Sequence, residues 1–97
     1  MALLNQEEVQ SAIENIEGWI YTDSAIHKTI TFDSYMDGIQ FVNQLAEHAE
    51  AINHHPDLTV GWCKVGVTFT SHDQGGVTDQ CIAMAKAVDS LFITKTK

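Results

Sequence analysis

The sequence predicts an α+β fold: a four-stranded antiparallel sheet with helices packed on one face, in the order α-β-β-α-β-β-α. Three observations carry this. Two blocks alternate with period two, each long enough for a hairpin, and three blocks around them repeat at helical spacing. The chain has 97 residues, 44% of them hydrophobic and 19% charged, which suffices for one core and not for two. A single domain over 1–97 is the expectation.

Asn5 is followed three residues later by Glu8, a capping pair, with Leu4 and Val9 at the staple positions around it. Val9, Ala12, Ile13 and Ile16 then recur at helical spacing until Gly18, so a first helix is expected over roughly 6–17. From 19 to 32 the period changes to two, with Ile26, Ile30 and Phe32 on one side and His27, Thr29 and Thr31 on the other. That pattern is a strand pair turning near Asp23 and Ser24.

Asp33 is placed to cap a long second helix whose stripe is Ile39, Val42, Leu45, Ala46, Ala49 and Ile52. It stops near Asn53, because Pro56 disfavours helical geometry in His55. Leu58, Val60 and Trp62 alternate in one phase, and Cys63, Val65, Val67 and Phe69 in the other. Such a parity switch needs a tight turn or bulge near Trp62 and Cys63. After a loop over 70–77, Thr78 caps a last helix running over Ile82, Ala85, Val88 and Phe92 toward Lys95 and Lys97.

Charge restricts the partners. Five lysines and no arginine against thirteen acidic residues give a net charge of −8 and a pI near 4.7. A nucleic-acid binder needs a basic stripe to displace counterions from phosphates, so direct DNA or RNA binding is not expected. Without arginine the chain also lacks the best bidentate clamp for an anionic ligand, which favours a neutral one. The longest apolar run, 81–85, is far short of a bilayer span, and the first residues lack the basic lead and apolar stretch of a secretory signal. No membrane association, a cytoplasmic location and reduced Cys63 and Cys81 are therefore expected.

The candidate chemistry lies at element ends, where scaffolds present functional side chains. His54 and His55 follow the second helix, and His72 lies in the loop after the fourth strand. Glu50 precedes His54 by four residues, so a persisting helical turn would let its carboxylate orient that imidazole. An acid/base site can be assembled from these groups. The same histidines could instead cap a helix end or lie in solvent, as expected for His27 and His48 on strand and helix faces. Zinc is another reading, through His54 or His55, His72 and a thiol, but no Cys-x-x-Cys or His-Glu-x-x-His spacing supports it. Trp62 suits core or rim packing as well as ligand stacking.

The stretch AEAINHHPD over 49–57, the aromatic Trp62 and the stretch TSHDQGGVT over 70–78 together resemble the pterin-4a-carbinolamine dehydratase family, also known as the dimerisation cofactor of a homeodomain transcription factor. The resemblance covers nearly the whole chain. It implies dehydration of 4a-hydroxytetrahydrobiopterin to quinonoid dihydrobiopterin, a hydro-lyase step that recycles pterin for aromatic amino acid hydroxylases. By resemblance, His54 and His72 carry the proton transfers, His55 helps to bind the ring, and Glu50 lies behind the histidines. Asn53, Thr70, Ser71 and Asp73 fall where the family contacts substrate, and Trp62 matches its aromatic position. No metal or organic cofactor is implied, the pterin being the substrate.

The resemblance also implies a homodimer or homotetramer. Its alternative function is that of a protein-binding module, a dimerisation cofactor or coactivator of a transcription factor. One position departs from the family's pattern: Cys81 stands where an aspartate is usual in the first turn of the last helix. That change breaks the Thr-x-x-acid capping box and removes a carboxylate beside the site.

Overall fold

The computed structural model describes residues 3–71 and 73–96, with side chains through residue 92. The elements are α1 (Gln6–Ile13), β1 (Ile20–Thr22), β2 (Ala25–Thr31), α2 (Tyr35–Ile52), β3 (Asp57–Val60), β4 (Lys64–Phe69) and α3 (Asp79–Thr96), the expected α+β order. Asn5 opens α1 with a capping box. Its side chain accepts from the Glu8 N–H at 2.8 Å, and the Glu8 carboxylate accepts from the Asn5 N–H at 2.8 Å. The helix ends at Ile13 rather than near 17, because the chain turns at Gly18 (φ 89°) and buries Ile16 and Trp19 from the turn instead of from a further helical coil.

The sheet runs β1-β2-β4-β3, and every pairing is antiparallel. Asp23 and Ser24 make the β1–β2 turn with φ values of 53° and 62°, the left-handed pair that a two-residue hairpin turn requires. The register Ile26↔Phe69, Ile30↔Val65 and Leu58↔Val67 gathers these side chains on one face. There they meet Phe41, Leu45 and Ala49 of α2 and Met84, Ala85 and Val88 of α3 in one core. His27, Thr29, Thr31, Thr59 and Thr68 line the other face, which is polar. The Gly61 N–H donates to the Lys64 carbonyl at 2.8 Å, which places Trp62 and Cys63 at the β3–β4 tip as the parity switch predicts.

Two expectations about α2 are corrected. The cap of α2 is Ser34, not Asp33: its Oγ accepts from the Asp37 N–H at 3.1 Å. The buried face of α2 is Gly38, Phe41, Leu45 and Ala49, so the predicted stripe is displaced. Ile39 and Val42 are half-buried, while Ala46 and Ile52 are exposed, because the sheet and α3 cover only one side of a broader apolar surface. Lys28 lies on the core face of β2 with Ile26 and Ile30, and Asp89 of α3 reaches in to accept from its Nζ at 2.8 Å. The same carboxylate accepts from Trp19 Nε1 at 3.3 Å. As predicted, α3 starts after Thr78, whose carbonyl accepts from the Cys81 and Ile82 N–H groups. Lys97 and the Lys95 side chain lie outside the described residues. Among the described residues, no helix is long and apolar enough to cross a membrane.

Candidate active site

The site begins where α2 ends. Asn53 adopts the left-handed conformation (φ 56°, ψ 45°), its N–H donates to the Glu50 carbonyl at 3.3 Å, and the His54 N–H donates to the Ala49 carbonyl at 3.0 Å. These bonds close the helix and reverse the chain within one residue. The helical turn thus does not persist to His54, and Glu50 is not its partner as expected. Instead, after the reversal, His55 Nε2 meets Glu50 Oε1 at 2.6 Å. A carboxylate only accepts, so Nε2 of His55 carries the proton in this pair.

The adjacent histidines have opposite surroundings. His55 is exposed beside a groove of about 410 Å³ lined by Ala46, Ala49, Glu50, Pro56 and Leu58. His54 is buried, its ring lying parallel to that of Phe69 with centroids 6.0 Å apart. Its Nε2 faces Cys81 Sγ at 3.3 Å. Burial, and secondarily the charge of His55, holds the His54 imidazole below its usual value, with Asp73 pulling the other way. A larger hollow, about 760 Å³, lies over the first turn of α1 among Asn5, Gln6 and Glu7, with no histidine on its wall. The smaller groove is therefore the one that adjoins chemistry.

The loop after β4 is built around Ser71. Its N–H donates to the Gly76 carbonyl at 2.8 Å, and its own carbonyl accepts from Gln74 and Gly75 at 3.0 and 2.9 Å. Its Oγ lies 2.9 Å from Thr78 Oγ1 and 3.6 Å from Cys81 Sγ. Gly75, at φ 79°, makes the turn possible. Each polar atom of Ser71 is thus engaged within the chain, which makes it the cornerstone of the loop rather than a free substrate contact. Thr70 donates its hydroxyl to the Ser24 carbonyl at 2.8 Å, tying the loop to the β1–β2 turn. Asp73 is exposed, and its charge acts on His54.

His72 lies outside the described residues. Trp62 is not brought to this cluster within one chain. It sits 81% exposed at the opposite end of β4, so six residues at ~3.3 Å each set it about 20 Å away. Of the remaining histidines, His48 is exposed, and His27 bonds Thr68 Oγ1 at 2.9 Å on the polar face. Among the described residues, no group of three or more His, Cys, Asp or Glu side chains has the arrangement to hold a metal ion. One member of the cluster escapes sequence reasoning. Phe69 reads only as a core strand residue, although its position at the very end of β4 was a signal. Cys81 reads as a capping position that the resemblance sets beside the site, and it faces His54 there.

The family model described as pterin 4 alpha carbinolamine dehydratase matches residues 2–91. A protein of Mycobacteroides abscessus, given that activity by inference in its name, is 37% identical over 90 residues, covering 93% of this chain and 96% of its own. A similarly named Mycobacterium tuberculosis protein is 38% identical over 92 residues, covering 95% and 98%. The crystal structure of a transcriptional coactivator/pterin dehydratase from Brucella melitensis matches with a TM-score of 0.89 at 29% identity, covering 93% and 98% of the two chains. A pterin dehydratase-like RuBisCO assembly factor of the alpha-carboxysome shares the fold, with a TM-score of 0.66 at 24% identity over 78% of this chain and 90% of its own.

Proposed function

The chain belongs to the pterin-4a-carbinolamine dehydratase family, and from that premise we propose that it dehydrates 4a-hydroxytetrahydrobiopterin to quinonoid dihydrobiopterin. In this elimination the C4a–O bond breaks, and the oxygen leaves as water once it has received a proton. N5 gives up its own proton, and its electron pair forms the C4a=N5 double bond. Atoms and charge balance without a redox partner. The reaction therefore asks the protein for one base, one acid and a cradle for a neutral ring.

The observation that carries this reading is the pairing of two adjacent histidines in opposite surroundings. His54 and His72 carry the proton transfers, with His54 as the base because its burial favours the neutral imidazole. His55, oriented by Glu50, binds the ring along the groove between α2 and β3, whose volume falls in the range of small-molecule sites. Asn53, Asp73 and the backbone of Thr70 supply further polar contacts to the substrate. No metal or organic cofactor takes part.

Stopped-flow decay of 4a-hydroxytetrahydropterin, with and without the protein, tests the proposal. Acceleration is expected, falling by roughly 10²-fold or more in His54→Ala and His72→Ala. No acceleration by the wild-type chain overturns it.

One further observation supports association with protein. Tyr35 and Met36 are 47% and 57% exposed, and the flank of α2 continues through half-buried Ile39 and Val42 to exposed Ala46. An apolar flank of this kind fits self-association as a homodimer or homotetramer. It also fits the alternative function, a coactivator-type binding module, which the name of the Brucella melitensis protein suggests. A chain that lacks turnover but still sediments as an oligomer dissociated by Met36→Lys favours this second reading.

A further inference from the structure

The first turn of α3 brings a polar group into contact with the buried histidine that the mechanism uses. Cys81 is fully buried, and its Sγ lies 3.3 Å from His54 Nε2, 3.6 Å from Ser71 Oγ and 3.7 Å from Thr78 Oγ1. The Phe69 ring lies parallel to the imidazole and fixes its plane. The His54 N–H, bonded to the Ala49 carbonyl, fixes the backbone from which the ring projects. What remains is the 180° flip about Cβ–Cγ, which keeps the ring plane but exchanges each nitrogen with a carbon, and the contact that selects one orientation is the one to sulfur. We propose that Cys81 is the positioning residue of His54, its thiol holding Nε2 so that Nδ1 is the ring nitrogen that exchanges a proton with substrate.

The chemistry of the partner matters as much as its place. A thiol is both a weak donor and a weak acceptor, so it can orient an imidazole without adding a full charge beside it. The charged groups that act on His54 are then His55, its chain neighbour already paired with Glu50, and Asp73 from the loop. A carboxylate at position 81 would add a third, at contact distance, and would stabilise the imidazolium. The thiol thereby keeps His54 suited to accept a proton.

The inference rests on the dehydratase reading for turnover, but not for the state of the ring. The test is therefore ¹⁵N NMR of the imidazole with stopped-flow turnover, on the full chain and on Cys81→Ser, Cys81→Ala and Cys81→Asp. One dominant His54 tautomer is expected in the wild type and in Cys81→Ser, and averaged ¹⁵N shifts in Cys81→Ala. Cys81→Asp should raise the pH at which His54 titrates by about one unit or more, and the acidic limb of the rate profile should move with it. Cys81→Ala should lower kcat roughly tenfold with KM within about twofold, and Cys81→Ser should restore most of it.

If Cys81→Ala does not fold, Cys81→Ser and Cys81→Asp carry the comparison. Unchanged shifts and titration across the variants overturn the proposal. So do altered shifts in an active enzyme whose turnover is the same in every variant. A wild-type chain without dehydratase activity whose His54 shifts still respond to position 81 overturns the functional reading and supports the hold of Cys81 on the ring.

Discussion

Glu50 Oε1 accepts from His55 Nε2 across 2.6 Å, so the carboxylate at the end of α2 serves the outer histidine and leaves the inner one, His54, to the interior. A single left-handed residue separates these two environments. Helical geometry alone would have joined Glu50 to His54.

This pairing makes Glu50 and His55 one binding unit. Glu50→Gln and His55→Ala are each predicted to raise KM several-fold with little change in kcat, and the double variant should resemble the worse single one, since coupled residues are not additive. Steady-state kinetics on the four chains of this cycle checks the prediction.

The depressed His54 value has a defined sign in stability. The unfolded chain protonates this residue near its ordinary value of about 6.5, whereas the folded chain resists protonation. The contribution is thus fully present above about pH 6.5 and is lost as pH falls below that toward the folded value. Urea midpoints are expected to decline from pH 7 to pH 5 more steeply in the wild type than in His54→Gln. Equal slopes would contradict the assignment.

Asn53 allows the helix end to be separated from the substrate contact. Asn53→Gly retains the left-handed turn and should change stability by only a few tenths of a kcal/mol, whereas Asn53→Ala should cost about 1 kcal/mol. If the amide touches substrate, both variants raise KM. Thermal unfolding and turnover report the two effects independently.

The Lys28–Asp89 pair is only partly exposed, and Asp89 also accepts from Trp19 Nε1. Asp89→Ala removes the ion-pair partner of a cation that keeps its bond to the Glu17 carbonyl at 2.9 Å, and it leaves an indole N–H without its carboxylate. It should cost about 1–3 kcal/mol, reduced from the fully buried case by the remaining solvent screening. Lys28→Met should cost less, since the carboxylate keeps the indole and some water. Urea denaturation distinguishes the two.

Loss of water from C4a by acid and base needs no Lewis acid. Turnover is predicted to survive dialysis against a chelator, and elemental analysis to find no stoichiometric metal. Activity that disappears on chelation and returns with zinc would reverse this part of the proposal.

Much of the frame was legible because it depends on local signals. Asn5 with Glu8, the turn at Asp23 and Ser24, and the change of phase before Cys63 each act within a few residues. The end of α1 was not, because Ile13 and Ile16 keep helical spacing although the chain leaves the helix between them. The face of α2 was misjudged because its apolar surface is wider than its neighbours can cover, so composition could not say that Phe41 rather than Ala46 turns inward. Within the site, His54 and His55 were visible as a pair. Their different partners were not, since Cys81 lies 27 positions from His54 and a cysteine carries no periodic signature that points to an imidazole.

The sheet order has a consequence for how the site comes into being. Its central pairing joins β2 to β4, so that His27 lies against Thr68, 41 positions away, and the whole of α2 must be enclosed before the two hairpins become one sheet. Closing so long a segment carries an entropic cost that local contacts do not offset. His54 precedes β3, Phe69 ends β4 and Cys81 begins α3, so no short stretch of the chain contains a precursor of the cluster. Chemistry therefore arrives with the completed topology, and a chain caught part-way through folding has histidines but no site.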